Sequence, residues 1–189
     1  MKRCEWAKGE YNESYHDNEW GKPQHHDQKL FELLVLEGMQ AGLSWVTILK
    51  KREAFCEAFD QFDIDKVAAY DETKQQELLN NEGIIRNRLK IKSAVSNAQC
   101  VQRLQQEFGS FDRYLWHFTD GKQIVNAYTA QSEVPTHNEL SDLISKDMKK
   151  RGFRFVGTTI IYSYLEAVGI INDHMTWCRE YHRCAEKND

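Results

Sequence analysis

Two helical patterns joined by a short turn occupy the segment 142-DLISKDMKKRGFRFVGTTIIYSYLEAVG-169. The first pattern is amphipathic and basic, and the second is almost entirely apolar. The turn between the two patterns is the six residues from Gly152 to Gly157, and Gly169 stops the second pattern. Because glycine accepts the backbone angles of tight turns, the segment predicts two helices joined by a hairpin.

The hairpin also predicts an anion site. Thr158 begins the second helix, and free N–H groups at a helix N-terminus bind phosphate. Gly157 permits close backbone approach, and Arg154 adds positive charge. This arrangement is similar to the helix-hairpin-helix motif, which holds one DNA strand without reading its sequence. The usual motif has two glycines around an apolar residue, and Phe155 stands at the first of these positions. An ordinary αα-hairpin in a helical core is the alternative interpretation.

The rest of the chain favours helices as well. Apolar residues recur at helical spacing over 30–36, 45–55 and 86–108, and the sequence has only two prolines. The predicted N-caps are Asp27, Ser44, Asp63, Thr73 and Ser141. The pair Ile124-Val125 is too short to indicate a strand. We therefore predict an all-α fold in a single unit, residues 1–189, with its helical core at roughly 27–170.

Composition narrows the class of protein. At 189 residues, 41% hydrophobic and 29% charged, the chain is typical of one globular domain. No apolar run approaches the roughly 20 residues of a membrane helix, so we expect no membrane association. The polar N-terminus does not resemble a secretion signal, and five cysteines, an odd number, indicate a reducing compartment. We expect a cytoplasmic protein.

Charge is unevenly distributed along the chain. The net charge of −4 is not that of a typical nucleic-acid-binding domain. Residues 83–106, however, contain no acid and five basic side chains, and a second basic cluster lies at 146–154. This asymmetry permits an anionic partner on one face, and solvated helix surfaces are the alternative.

Four possible metal ligands lie near the two ends of the chain. They are Cys4, His16, His174 and Cys178. Two thiolates and two imidazoles form the closed tetrahedral set of a structural zinc site. The four-residue spacing of His174 and Cys178 would put both on one face of a helix. His182 and Cys184 compete for the second half of the set, and buried thiols with ordinary hydrogen-bonded histidines are the alternative.

A second constellation combines aromatic rings with an acid. Tyr15, Trp20 and Trp45 could stack on a flat ligand. Glu37 follows an apolar run and so lies at the inner end of a buried helix, where a carboxylate is costly unless paired or functional. A cationic ring between such faces would be stabilised by cation–π contacts with the aromatic rings and by hydrogen bonds from its N–H groups to Glu37. Core aromatics and a helix-terminal acid are the alternative.

These segments together resemble one family. The motifs are 15-YHDNEWG-21, 36-LEG-38 with 40-QAGLSW-45, 83-GIIRNR-88 and 150-KRGF-153 with 155-FVGTT-159. They closely resemble the bacterial DNA-3-methyladenine glycosylase I family, within the helix-hairpin-helix glycosylase superfamily. The resemblance runs from Cys4 to about Cys178. The family often has a further pocket tyrosine where this chain has Asn12.

The resemblance implies a fold, a metal and an activity. The fold would be a helix-hairpin-helix glycosylase in which one structural Zn²⁺ joins the terminal segments 1–20 and 171–189. Its zinc ligands would be Cys4, His16, His174 and Cys178. The activity would be base excision: hydrolysis of the N-glycosidic bond of 3-methyladenine in alkylated double-stranded DNA, leaving an abasic site. We expect the protein to act as a monomer.

The same resemblance implies roles for particular residues. Glu37 would contact the base and serve catalysis, in a pocket lined by Tyr15, Trp20 and Trp45. Further DNA-binding residues would be Gly42 and Leu43, on a loop filling the gap left by the extruded nucleotide, and Arg154, Gly157 and Thr158, on the hairpin. Asp173 lies roughly where the superfamily has a catalytic aspartate, but its neighbour His174 belongs to the ligand set, so it receives no role. No lysine falls in the pocket motifs, which predicts a monofunctional enzyme.

Two other classes of protein remain as rival hypotheses. A non-catalytic DNA-binding module built on the hairpin would bind abasic DNA without releasing base. A thiol hydrolase using Cys178 with His174 would be inactivated by thiol alkylation and would hold no zinc.

Overall fold

The computed structural model describes residues 2–185, and its fold is mostly α-helical, as predicted. The helices are α1 (Glu10–Asn18), α2 (Asp27–Gln40), α3 (Trp45–Ala58), α4 (Ile64–Ala68), α5 (Glu72–Asn80), α6 (Arg88–Phe108), α7 (Phe111–Trp116), α8 (Glu139–Lys150), α9 (Thr158–Ala167) and α10 (Glu180–Ala185). The positions 186–189 of the predicted C-terminal segment lie outside the described residues.

The core forms around α2, which packs against α3, α6, α7 and α9. Every residue from Leu30 to Met39 is buried, so this helix has no solvent-facing side over most of its length. A helix enclosed in this way needs apolar residues all round, and the run Leu33 to Leu36 provides them. Glu37 directly follows this run, and its burial is therefore imposed by the packing of α2.

The predicted helix starts are partly confirmed. Ser44 and Asp63 cap α3 and α4, each accepting a hydrogen bond from a backbone N–H in the first turn. The N-caps predicted at Asp27, Thr73 and Ser141 are wrong, because α2, α5 and α8 begin one to three residues earlier. Asp27 instead accepts from the N–H groups of Phe111 and Asp112, so it caps a different helix, α7.

The all-α prediction is wrong in one detail. Ile124–Val125 (β1) and Ile171–Asn172 (β2) form a two-stranded parallel pair, with Ile124 opposite Ile171. Each strand has two residues, and their partners lie 47 positions apart, so sequence periodicity could not reveal them. The pair fixes the segment after α9, which leads to His174.

The predicted hairpin is present between α8 and α9, which pack against each other. Phe155 adopts a left-handed φ of 53°, the backbone region that favours glycine. The Asn97 side chain of α6 holds this turn: it accepts from Arg154 N at 2.8 Å and donates to Arg154 O at 3.0 Å. Ser145 of α8 donates to Val156 O at 2.6 Å. Contacts from two helices therefore fix the conformation of the hairpin.

Across residues 2–185, no helix combines the length and apolar character that a bilayer span requires.

Candidate active site

A cleft of about 200 Å³ opens between α1, α2, α3 and α9. It contains all four residues predicted for the aromatic and acidic constellation and five others. Its lining consists of Trp6, Tyr15, Trp20, Glu37, Gln40, Trp45, Gln131, Ser163 and Glu166. The volume suits a single flat heterocycle, and residues far apart in the sequence converge on it.

Aromatic rings form one side of this cleft. The Tyr15 and Trp45 ring centroids are 5.3 Å apart, and Trp6 meets Trp20 edge-on at 4.9 Å. Tyr15 Oη and Trp45 Nε1 are buried, and neither has a hydrogen-bond partner among the described residues. Buried polar groups normally have partners. These two atoms are therefore available to a polar ligand that enters the cleft.

Glu37 is the acid of this cleft, and its side chain is buried in the wall contributed by α2. It is 4% exposed. Burial raises the pKa of its carboxyl from 4.5 to about 8, since the charged form is poorly solvated there. At neutral pH this carboxyl is therefore mostly protonated, and a cationic ligand would favour its ionised form.

A second carboxyl reaches the cleft from α9. Glu166 lines it beside Asp173, and burial together with the nearby Asp173 raises the pKa of the Glu166 carboxyl well above its ordinary value. Asp173 is fully buried and accepts from Tyr162 Oη at 2.6 Å and from Asn126 Nδ2 at 2.7 Å. Asp173 itself is not among the residues that line the cleft.

The four predicted metal ligands form a buried cluster behind the cleft. One donor atom from each of Cys4, His16, His174 and Cys178 lies within 4.8 Å of the others. Among residues 2–185, neither His182 nor Cys184 joins this cluster. The two residues do not share a helix face, because His174 and Cys178 lie in the non-helical segment between β2 and α10. Tertiary packing brings them together.

The chemistry of this cluster fits a zinc ion. His16 directs Nε2 to Cys178 Sγ at 3.4 Å, and its Nδ1 lies 2.9 Å from Asp17 Oδ1. His174 directs Nδ1 to the thiols, while its Nε2 lies 3.1 Å from Trp20 O. Metal-binding histidines usually have such a partner on the second ring nitrogen. A hydrogen bond from Cys4, aided by His16 and His174, holds the pKa of the Cys178 thiol far below its ordinary value. The thiolate is the form that binds metal.

The predicted DNA-binding residues lie in two exposed turns. Gly42 has a φ of +80° in the loop that follows α2, and the Leu43 side chain beside it is 41% exposed. In the hairpin, Gly157 precedes α9 and no side chain caps the first N–H groups of this helix. The Thr158 hydroxyl donates to Asp142 Oδ1 and lies 3.0 Å from the Ser141 hydroxyl, and its backbone N–H is among the first of α9, which have no acceptor within the helix.

The sequence profile of one family, described as methyladenine glycosylase, matches residues 6–181. The chain belongs to the methyladenine glycosylase family. It is 46% identical to DNA-3-methyladenine glycosylase 1 of Escherichia coli (strain K12) over 179 residues, 94% of this chain and 96% of that protein.

Solved structures of methyladenine glycosylases share this architecture. A crystal structure of 3-methyladenine DNA glycosylase I superposes with a TM-score of 0.91 at 46% identity, covering 94% of this chain and 98% of that one. A single-residue variant of 3-methyladenine DNA glycosylase I in complex with 3-methyladenine gives 0.92 at 36% identity, covering 96% and 98%. The family fold therefore extends over nearly the whole chain.

Several cleft residues of this family member were not predicted. Trp6 lies two positions from Cys4, so the position of Cys4 in the metal-ligand cluster brings Trp6 to the cleft. No helical pattern surrounds Trp6 in the sequence. Gln131 lies in a 3-10 turn at Gln131–Glu133, within the stretch 119–138 that has no readable pattern. Ser163 and Glu166 face the cleft from α9, whose apolar composition indicated only burial.

Proposed function

We propose that this protein excises 3-methyladenine from alkylated double-stranded DNA by hydrolysing its N-glycosidic bond. The products are the free base and an abasic site. The observation that carries this proposal is the aromatic cleft with the buried Glu37 at its wall, in a chain of the methyladenine glycosylase family.

The cleft selects a flat cation. Methylation at N3 gives adenine a positive charge, and Tyr15, Trp20 and Trp45 offer ring faces and edges to it. Glu37 accepts hydrogen bonds from the amino edge of the base, and its ionised form pairs with the positive charge. Because burial keeps this carboxyl mostly protonated, binding of the cation at neutral pH releases a proton.

DNA is held by the two exposed turns. The free N–H groups at the start of α9, with Gly157, Thr158 and Arg154, bind phosphates of one strand. Gly42 and Leu43 fill the gap that the extruded nucleotide leaves. Extrusion costs a few kcal/mol, and less at a damaged pair.

The bond breaks with the base leaving as a neutral purine. The C1′–N9 electron pair passes to the ring, which cancels its positive charge, and the sugar becomes an oxocarbenium-like cation near the DNA phosphates. Glu37 stabilises the base as it leaves. Water then attacks C1′ and loses its proton to solvent. None of the described cleft residues is a lysine, so no covalent imine forms and the enzyme is monofunctional.

One zinc ion, held by Cys4, His16, His174 and Cys178, is structural in this proposal. When bound, it supplies a cross-link between the terminal segments 1–20 and 171–189 and no chemistry on the substrate. The protein acts as a single unit, 1–189, and as a monomer, with its helical core at 27–170.

Chromatography of the bases released from methylated duplex DNA tests the proposal. We expect free 3-methyladenine, an intact abasic strand and no adduct trapped by borohydride. Glu37→Gln should lower the excision rate with little loss of DNA binding. A DNA-binding module would release no base, and a thiol hydrolase would lose activity on thiol alkylation and contain no zinc. Excision by Glu37→Gln at the parent rate would show that the assigned role is wrong.

A further inference from the structure

Lys90 is a buried cation in an unfavourable position. It lies in the first turn of α6, where the N-terminal end of the helix dipole is positive, and it is only 7% exposed. No acid occurs from Gly83 to Gln106, and among the described residues the ammonium has no carboxylate partner. Lysine is almost never buried without a partner. The buried ammonium of Lys90 therefore needs hydrogen-bond acceptors other than a carboxylate.

These acceptors lie at the end of another helix. Lys90 Nζ donates to Met39 O at 2.8 Å and to Ala41 O at 2.7 Å. These carbonyls lie at the C-terminal end of α2, where they lack the usual partners within the helix and where the helix dipole is negative. The carbonyl between them, Gln40 O, accepts a hydrogen bond from Leu43 N. The ammonium therefore satisfies two free acceptors and cancels the negative end of α2.

The same helix end leads into the turn that carries Gly42 and Leu43. Without Lys90, the negative end of α2 would lie beside the phosphates of bound DNA, and the turn would lose its connection to α6. Asn97, seven residues further along, holds the hairpin from the same face of α6. Both DNA-contacting turns of the proposed function are thus fixed to one helix.

We propose that Lys90 is a positioning residue for base extrusion: through Met39 and Ala41 it holds the turn that presents Leu43 to the DNA. This inference rests on the proposed function. Lys90 does not line the cleft. Its removal should therefore impair excision from duplex DNA and leave binding of the free base intact, a separation that a general loss of structure would not produce.

The experiment compares zinc-loaded parent enzyme with Lys90→Met, which keeps the apolar stem and removes the charge. We expect single-turnover excision from a methylated duplex oligonucleotide to slow at least about tenfold, equivalent to about 1.4 kcal/mol. The Kd for free 3-methyladenine, followed by tryptophan fluorescence, should stay within about twofold. Lys66→Met, which removes an exposed lysine from α4, should match the parent in both assays.

A double-mutant cycle with Leu43→Ala tests the route of the effect. If Lys90 acts by holding Leu43, the combined variant should be little slower than the slower single variant, since the second change removes what the first has already displaced. Additive losses would overturn the inference. Lys90→Gln, which keeps a hydrogen-bond donor, provides the same comparison if Lys90→Met does not fold.

The outcomes separate the two proposals. If the parent releases no 3-methyladenine from duplex DNA, the proposed function fails and this inference fails with it. If the parent releases base and Lys90→Met does so at the same rate, only the role of Lys90 is refuted. A parallel loss of free-base binding would assign Lys90 to the general stability of the fold.

Discussion

Replacing Glu37 with Gln should stabilise the fold, and increasingly so at higher pH. Burial raises the pKa of the Glu37 carboxyl from 4.5 to about 8. A carboxyl whose pKa is higher in the folded state favours folding in its protonated form. This contribution is complete below about pH 4.5 and is lost as the pH rises through about 8. Glutamine has nearly the same shape and does not ionise, so it lacks this dependence.

The magnitude follows from the two pKa values. The gap between 4.5 and about 8 corresponds to about 5 kcal/mol at full ionisation, at roughly 1.4 kcal/mol for each pH unit. Between pH 5 and pH 9, the free energy of unfolding of Glu37→Gln should rise relative to that of the parent by about 4 kcal/mol. The side chain is only 4% exposed, so solvent screens little of this effect.

Urea unfolding of both zinc-loaded proteins at pH 5, 7 and 9 measures this difference. Glu53→Gln, at an exposed position of α3, controls for the loss of one negative charge. Contributions common to parent and variant, including those of the metal ligands, cancel in the comparison. A difference that changes by less than about 1 kcal/mol across the range would refute the argument that burial controls this carboxyl.

Three further changes test other parts of the structure. Gly169→Ala should destabilise the fold by about 3 kcal/mol or more, which thermal unfolding measures. The added Cβ would lie 2.1 Å from the carbonyl carbon of Lys22, and residue 169 has a φ of +72°. Cys178→Ser should reduce bound zinc from about one ion per chain to none by elemental analysis and lower the melting temperature; unchanged zinc content would exclude Cys178 as a ligand. Arg154→Ala should weaken DNA binding similarly for all sequences and reduce the slope of log K against log salt by about 1 in a titration; an unchanged slope would remove Arg154 from the phosphate contacts.

The fold was predictable wherever helical periodicity extended over several turns. The apolar pattern of α2, the cap at Ser44 and the glycines around the hairpin lie within single segments, so local rules suffice to interpret them. The pair of two-residue strands was not predictable, because each strand is stable only beside its distant partner. The caps assigned to Asp27 and Ser141 were wrong for a related reason: such side chains cap helices from several positions, including from another part of the chain.

The candidate site shows the same division. Residue types alone suggested Tyr15, Trp20, Glu37 and Trp45 as a ligand site, with core aromatics and a helix-terminal acid as the alternative, and the tertiary structure brings all four to one cleft. Trp6, Gln131 and Glu166 reach the cleft from segments whose sequences carry no comparable signal. Lys90 appeared in the sequence only as one member of a basic run, although it is buried against the end of α2.

The sequence by itself therefore determined the helices, the turns between them and the kinds of chemistry that their residues offer. These properties depend on intrinsic backbone preferences and on the spacing of apolar residues, which act over a few positions. Only the tertiary structure decided which of these residues meet. Burial, the pKa of Glu37 and the convergence of the metal ligands depend on segments up to 174 positions apart, and local sequence carries no information about such distances.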